Sequence, residues 1–311
     1  MTQTAKFATT ITEETVKKYV ILTDTGSDLD KCFRDQYDIE YVPMRFSLDG
    51  VDYEADLDWS HFSAKEFYDM MRNGKRFITA QVNVATYKKA FEKYLSQGYD
   101  VLYVACSSEI SASINASRVA REEVLKNYPD GKIICVDTLR ACYALSLLCI
   151  RAAELRAEGK TIEETAAWIE DNRLTVNMIG SVDKLTYLKQ AGRVSAASAF
   201  FGGLLNIKPI IIADAKGRNF ALEKVKGRRT SLNRIAEMMK ENYLEQPYQR
   251  IMISHADCLE EAEELKRLCE EKIGKELTVH IGYVGSCVGA SVGPGMLGVY
   301  FFGKEVTVNK E

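Results

Sequence analysis

Histidine is scarce in this 311-residue chain: His61, His255 and His280 are the only three, and none lies in a recognisable nucleophile motif. An autonomous hydrolase or transferase working through an imidazole base therefore has little to build on. Long apolar runs are missing as well. Each hydrophobic stretch is broken by Gly, Ser or charge before it reaches the roughly 20 residues of a membrane helix, so no integral membrane segment is expected. Positive charge is not in surplus either. The net charge is −3, which removes the broad cationic field that would attract nucleic acid or anionic headgroups. Met1 to Thr10 lack the basic segment and apolar run of a secretory signal, and charged Glu13, Glu14, Lys17 and Lys18 follow. These absences together imply a cytoplasmic protein.

Nucleotide signatures are absent too. No glycine-rich loop ends in Gly-Lys-Ser/Thr, and the first apolar strand is not followed by the three-glycine dinucleotide fingerprint. Gly289, Gly293 and Gly295 are close together but precede a strand instead of opening a helix, which supports only backbone freedom near a ligand. The eight cysteines include no C-x-x-C pair, so reduced thiols packed in a core are expected, with neither a disulfide scaffold nor a metal site. Cys106 and Cys135 fall in apolar strand-like runs, and Cys142 and Cys149, seven residues apart on a predicted helix, share one face.

What is present is an ordinary globular composition, 46% hydrophobic and 27% charged. The length favours two domains over one. Tyr19 to Thr23 forms an apolar, β-branched run ending in the polar turn Asp24-Thr25-Gly26-Ser27-Asp28. Tyr87, Ala90, Phe91, Tyr94 and Leu95 have the spacing of an amphipathic helix that stops at Gln97-Gly98. Val101 to Cys106 reads as a strand, then comes a helix over about Ile114 to Tyr128, a strand over Lys132 to Val136, and helices over Ala141 to Ala157 and Ile162 to Asn172. Such alternation predicts a parallel, Rossmann-like sheet covered on both faces. A second α/β unit follows, with strands over Met178 to Val182, Pro209 to Ala213, Arg250 to Ser254, Thr278 to Ile281 and Gly298 to Phe302 and helices over Leu232 to Tyr243 and Leu259 to Glu271. The expected division is 1–175 and 176–311, with a ligand site in the cleft between the two.

Asp24-Thr25-Gly26-Ser27 has the lettering of an aspartic-protease signature, but that chemistry needs two carboxylates sharing a proton and the chain has one copy. A βα turn capped by Asp or Ser is the alternative. Two hydroxyl-rich turns precede helices: Phe77-Ile78-Thr79-Ala80-Gln81-Val82-Asn83 and Ser107-Ser108-Glu109-Ile110-Ser111-Ala112-Ser113. Each alone reads as a helix cap, whereas the two together supply neutral donors suited to a carboxylate. Lys189 and Arg193 flank a glycine turn, and Lys208, Lys224, Lys226, Arg228 and Arg229 add charge in the same half. They form either a solvated face or a patch for an anionic group or an acidic partner.

Taken in order, these elements resemble the DegV family from about Tyr19 to Phe302. Thr23-Asp24-Thr25-Gly26-Ser27-Asp28-Leu29 is similar to its first strand and turn, and Thr79-Ala80-Gln81-Val82-Asn83 to its Thr-Ser-Gln-Pro-Ser element. Ser107 to Ser113 resembles its Ser-Ser-x-Leu-Ser-Gly-Thr turn. Leu188 to Val194 resembles Leu-Lys-Lys-Gly-Gly-Arg-Ile, followed by Leu205 to Ile210, and Gly289 to Gly295 resembles Gly-Thr-His-Thr-Gly-Pro-Gly. The resemblance implies a bacterial two-domain α/β protein of the EDD fold with an acyl tunnel at the domain interface. It implies a non-catalytic, lipid-binding subunit of a fatty acid kinase, which presents the carboxylate of a long-chain fatty acid to a dihydroxyacetone-kinase-like ATP-binding subunit. No cofactor or metal is implied. Thr79, Ser108, Ser111 and Ser291 would meet the carboxylate, and Arg193 and Arg229 the partner or the phosphate. Ser291 stands where the family usually has histidine, so a neutral hydroxyl replaces a group able to carry positive charge. The alternatives are a stand-alone small-molecule regulator, or a phosphotransferase or hydrolase on the same fold.

Overall fold

A computed structural model of the chain describes residues 18–194 and 206–309. Met1 to Lys17, read above for a signal, and Leu205 lie outside them. The chain runs through β1 (Tyr19–Asp24), α1 (Lys31–Tyr37), β2 (Ile39–Val42), β3 (Met44–Leu48), β4 (Val51–Ala55), α2 (Ala64–Arg72) and β5 (Phe77–Ala80). Then come α3 (Val84–Leu95), β6 (Asp100–Ala105), α4 (Ser113–Val124), β7 (Ile133–Asp137), α5 (Tyr143–Ala157) and α6 (Ile162–Asn172). Beyond residue 175 follow β8 (Val176–Ser181), α7 (Leu185–Ala191), β9 (Ile207–Ala213), β10 (Asn219–Lys226) and α8 (Arg228–Asn242). The last elements are β11 (Ile251–His255), α9 (Leu259–Ile273), β12 (Val279–Tyr283), α10 (Ser286–Val292) and β13 (Leu297–Phe302). The expected division at 175/176 coincides with the start of β8.

The predicted parallel sheet is present, in the order β2-β1-β6-β7. Ile21 lies opposite both Ile39 and Leu102. All six residues of β1 and all six of β6 are buried, the pattern of strands covered on both faces. Local signals place the helices. Asn83 accepts the Thr86 N–H at 2.8 Å to start α3, which buries Tyr87, Phe91, Tyr94 and Leu95 as their spacing predicts. Thr161 and Glu164 form a capping box that opens α6. Helix α4 stops at Val124, four residues before the predicted end at Tyr128, and α5 begins at Tyr143 because Cys142 takes a positive φ of 54°.

Residues 44–80 carry a feature absent from the sequence reading, a three-stranded antiparallel sheet in the order β4-β3-β5. Its strands are four or five residues long, too short for a distinct alternation. The second half forms a six-stranded sheet in the order β10-β9-β8-β13-β11-β12, parallel only between β11 and β12. All five predicted strands appear in it, and β10 is additional.

Period-two alternation along β13 splits the interior. Leu297, Val299 and Phe301 join Leu232 and Ile235 of α8 and Leu265 of α9 in one core. Tyr300 and Phe302 turn the other way into the larger core that holds β1, β6 and α5. The six-stranded sheet therefore lays one face directly on the first half of the chain. Arg140 ties the two together: fully buried, it donates from Nε to the Val176 carbonyl at 2.7 Å and from Nη1 to the Leu139 and Asp214 carbonyls at 2.7 and 3.3 Å. Burial lowers this guanidinium to about 10, still charged at neutral pH. Arg140→Met leaves those carbonyls without their donor, at about 1–3 kcal/mol for an unsatisfied buried group. Urea denaturation is expected to show a total loss of about 3 kcal/mol, and an unchanged midpoint would contradict the role of Arg140 as a tie.

Candidate functional site

The two hydroxyl-rich turns meet in space. The Val82 N–H donates to Ser113 Oγ at 3.2 Å, and Ser113 Oγ lies 2.9 Å from Ser111 Oγ, so the end of β5 is stitched to the turn between β6 and α4. Thr79, one strand position from Ile78 and Ala80, lies opposite Phe46 of β3. Helix α10 closes the third side. It packs tightly because Gly289 has no side chain: a Cβ there would run into the Tyr68 hydroxyl, which donates to the Val284 carbonyl at 2.6 Å. Gly293, at a φ of 76°, ends α10 against the Tyr187 ring, where a side chain would clash.

These elements enclose a cavity of about 220 Å³. Thr79, Ser111, Ser291 and Arg193 are among its lining residues, so four of the six predicted site residues converge. Most of the wall is apolar or sulfur-bearing, from Ile110, Leu139 and Leu188 to Met178, Val292 and Met296. Thr79, Ser291 and Arg193 also border a second, outer cleft of about 490 Å³. Lys75, Arg76 and Lys184 line that cleft, and no carboxylate does among the described residues. Lys75 is committed to Asp49 at 2.6 Å. The hydroxyls thus stand where an oily interior passes into a cationic vestibule.

The other two predicted residues lie elsewhere. Ser108 is not in the lining; its N–H donates to Asp137 Oδ1 at 3.2 Å, the local bond of a turn. Arg229 projects from the start of α8 with its side chain 88% exposed and its Nε 3.9 Å from Glu264. Motif order placed both at the site, but the Ser108 N–H is engaged by Asp137 of β7 and the Arg229 side chain lies in solvent.

Asp24 has the structural role of a turn cap. It accepts from the Gly26 N–H at 2.9 Å, the Cys106 N–H at 3.1 Å and the Tyr103 hydroxyl at 2.6 Å. Burial raises its carboxyl and these three donors oppose the rise. All eight cysteines are free; Cys106, Cys142 and Cys287 are buried and line the cavity, whereas Cys32 is exposed, against the expectation of core packing. None of the three histidines lines it. Among the described residues no group of His, Cys, Asp and Glu is arranged to hold a metal, and no helix is long and apolar enough to cross a membrane.

Comparison with known proteins bears on this geometry. Residues 18–304 match the family described as "Uncharacterised protein, DegV family". The chain belongs to the DegV family. A DegV domain-containing protein of Clostridium perfringens is 38% identical over 93% of this chain and 98% of its own length. Among solved structures, a DegV lipid-binding protein of Thermotoga maritima superposes with a TM-score of 0.81 at 27% identity, covering 93% of this chain and all of that one. DegV of Bacillus subtilis, described as a fatty acid binding protein, gives 0.78 at 26% identity with the same coverage. The α/β architecture is that of these DegV structures. Within the family's terminal motif, Ser291 holds a place on α10 at the cavity wall.

Behind that wall lies an unbalanced group. Asp28 is buried at a φ of 54°, and neither carboxyl oxygen has a partner at hydrogen-bonding geometry among the described residues. Burial raises its carboxyl to about 8, against the opposing influence of the Cys142 thiol and the Gly285 N–H. Between its ordinary value of 3.8 and about 8, the folded acid keeps a proton that the unfolded chain releases. Its stabilising contribution is thus complete below that window, falls as pH rises through it and levels off above it. Asp28→Asn abolishes this titration, worth at most about 1.4 kcal/mol per pH unit. Urea melts at pH 5 and pH 8 should show the variant gaining on the parent at the higher pH; parallel losses in the two proteins would count against a protonated Asp28.

Proposed function

We propose that this protein binds a long-chain fatty acid, with the tail in the inner cavity and the carboxylate at Thr79, Ser111 and Ser291, and presents that head to a partner kinase subunit. The observation carrying this reading is the position of three neutral hydroxyls on one apolar cavity, two of which, Thr79 and Ser291, stand at its boundary with a cationic cleft. Solved DegV relatives described as lipid-binding and fatty-acid-binding support it.

A fatty acid poses two problems at its two ends. The tail is rejected by water: at about 0.8 kcal/mol per methylene, some fourteen buried groups give roughly 11 kcal/mol before the costs of association. The carboxylate is rejected by an apolar interior unless donors meet it. Hydroxyls from three separate elements, β5, the β6–α4 turn and α10, would satisfy it. The tail supplies affinity and the head supplies register.

Phosphoryl transfer to the bound carboxylate requires ATP and Mg²⁺ on another subunit, in keeping with the lack of a nucleotide loop here. Arg193, exposed at the cavity mouth, and the neighbouring Arg76 and Lys184 make the outer cleft suited to a phosphoryl group or an acidic partner surface. With Ser291 in place of the usual histidine, that cleft relies on these cations alone for its charge. This chain then acts as a carrier with no catalytic group of its own.

Lipid extracted from protein purified out of cells, identified by mass spectrometry, tests the carrier reading directly; protein that is empty and also ignores added fatty acids would refute it. Thr79→Val keeps the side chain's shape and removes one donor to the carboxylate. A hydrogen bond to a charged group is worth about 1.5–3 kcal/mol, so fatty-acid affinity should fall about ten- to a hundredfold, with little change in the urea midpoint.

A further inference from the structure

Asp28 takes no part in gripping either end of a ligand, yet it stands directly behind the cavity wall. Cys142, Cys287 and Tyr300 line the cavity, and all three feel the charge of Asp28. A Cβ on Gly285, the residue that opens α10, would lie 2.5 Å from Asp28 Oδ1. The carboxyl is therefore held between the turn after β1 and the helix that carries Ser291.

Nothing around it is arranged to receive an anion. Three phenols approach it, Tyr68 from α2, Tyr143 from α5 and Tyr300 from β13. Each gives its proton elsewhere: Tyr68 to the Val284 carbonyl, Tyr143 to Asp30, and Tyr300 to Cys142 Sγ. Cys106, Cys142 and Cys287 are thiols that burial keeps neutral, and a thiol is a weak donor. The charged groups acting most strongly on Asp28 are two further carboxyls, Asp30 and Asp24, of which Asp30 also meets His280 Nε2 at 2.7 Å. Neither oxygen of Asp28 finds a partner at hydrogen-bonding geometry among the described residues.

Loading the cavity would make an ionised Asp28 costlier in two ways. Water entering an unfilled cavity moderates a charge behind its wall, and a hydrocarbon tail removes that medium. The head adds a like charge. Ser291 lies six residues along α10 from Gly285, about 9 Å at 1.5 Å per residue. Two negative charges at that separation, in a medium of effective dielectric about 20, disfavour one another by about ten- to twentyfold. Tail and head thus act with the same sign.

We propose that Asp28 makes ligand binding proton-linked: the protein holds a fatty acid while Asp28 is neutral and releases it more readily once Asp28 ionises. This inference rests on the fatty-acid-binding reading and adds the regulation of that same site. Burial raises the Asp28 carboxyl to about 8, so affinity is full below that value, declines as pH rises through it, and levels off above. By linkage, loading near that value takes up a fraction of a proton from solvent.

The test is equilibrium dialysis of radiolabelled palmitate, at nanomolar concentration, against delipidated full-length protein at pH 6.5 and pH 9.5. A free carboxyl titrates near about 4, so the ligand carries the same charge at both. The dissociation constant of the parent should rise about ten- to twentyfold. Asp28→Asn keeps the neutral shape, and asparagine accepts the positive φ of this position; its constant should stay within about twofold of the low-pH parent value across the range, because the titrating group is gone. A parent that is flat with pH, or a variant that loses affinity as steeply as the parent, would overturn the proposal. Should the variant fail to fold, calorimetry of the parent at pH 8 in two buffers of different ionisation enthalpy decides: uptake of about half a proton is expected, and no uptake overturns it. Palmitate that binds at neither pH refutes the fatty-acid reading and this inference with it.

Discussion

The whole site depends on how closely α10 can approach the first half of the chain. The Tyr68 hydroxyl donates to the Val284 carbonyl at 2.6 Å, and Gly289 lets the same ring lie against the helix backbone. Gly285, at the N-terminus of α10, has no side chain where the Asp28 carboxyl lies. With the helix held at these points, Ser291 and Cys287 line the same cavity as Thr79 and Ser111. A bulkier residue at either glycine would lift α10 away, and the hydroxyls would no longer converge. The glycines of the terminal motif are therefore packing residues, and their spacing reflects a helix pressed against a tyrosine ring, with no phosphate loop involved.

Electrostatics follow the same geometry. Polar groups behind the wall are handled in two ways. Asp24 is surrounded by three donors and belongs to a satisfied network with Tyr103, whose hydroxyl also meets that of Tyr87. Asp28, one turn further on, has burial without donors at good geometry, so its neutral form fits the fold better than its charged form. Keeping that carboxyl neutral keeps a negative charge from the back of the cavity, where it would repel an incoming carboxylate. Arg140, the buried cation bordering the same cavity, donates from Nε and Nη1 to the backbone carbonyls of Leu139, Val176 and Asp214. Its charge serves the joint between the two halves.

Much of the parallel sheet was legible because its signals are local. The continuous burial of Tyr19–Asp24 and the i, i+3, i+4 spacing from Tyr87 to Leu95 both belong to contiguous segments. The β4-β3-β5 sheet was not, since its strands are short and Val51, Asp52 and Glu54 of β4 are exposed, leaving no one-sided pattern to read. Thr79, Ser111, Ser291 and Arg193 could be named from motif order, and the structure brings them together. Ser108 and Arg229 show the limit of that approach, because membership of a motif does not specify whether a residue reaches the cavity. Cys106, Cys142 and Cys287 were legible as buried and illegible as cavity wall. A core thiol and a lining thiol have the same sequence environment, and only the empty volume beside them tells the two apart.

The division between inner cavity and outer cleft also bears on the proposed carrier role. A group that activates a carboxylate must reach its oxygen, while the tail must stay covered. In this fold the two requirements are met on opposite sides of Thr79 and Ser291: apolar and sulfur-bearing side chains lie inward, and Arg76, Lys184 and Arg193 lie outward. A nucleotide-binding loop built into the same wall would put a polyphosphate beside the oily interior or push the hydroxyls apart. Leaving the mouth as a cationic vestibule avoids both, because on the proposed reading the carboxylate oxygen would face a surface that a partner could cover.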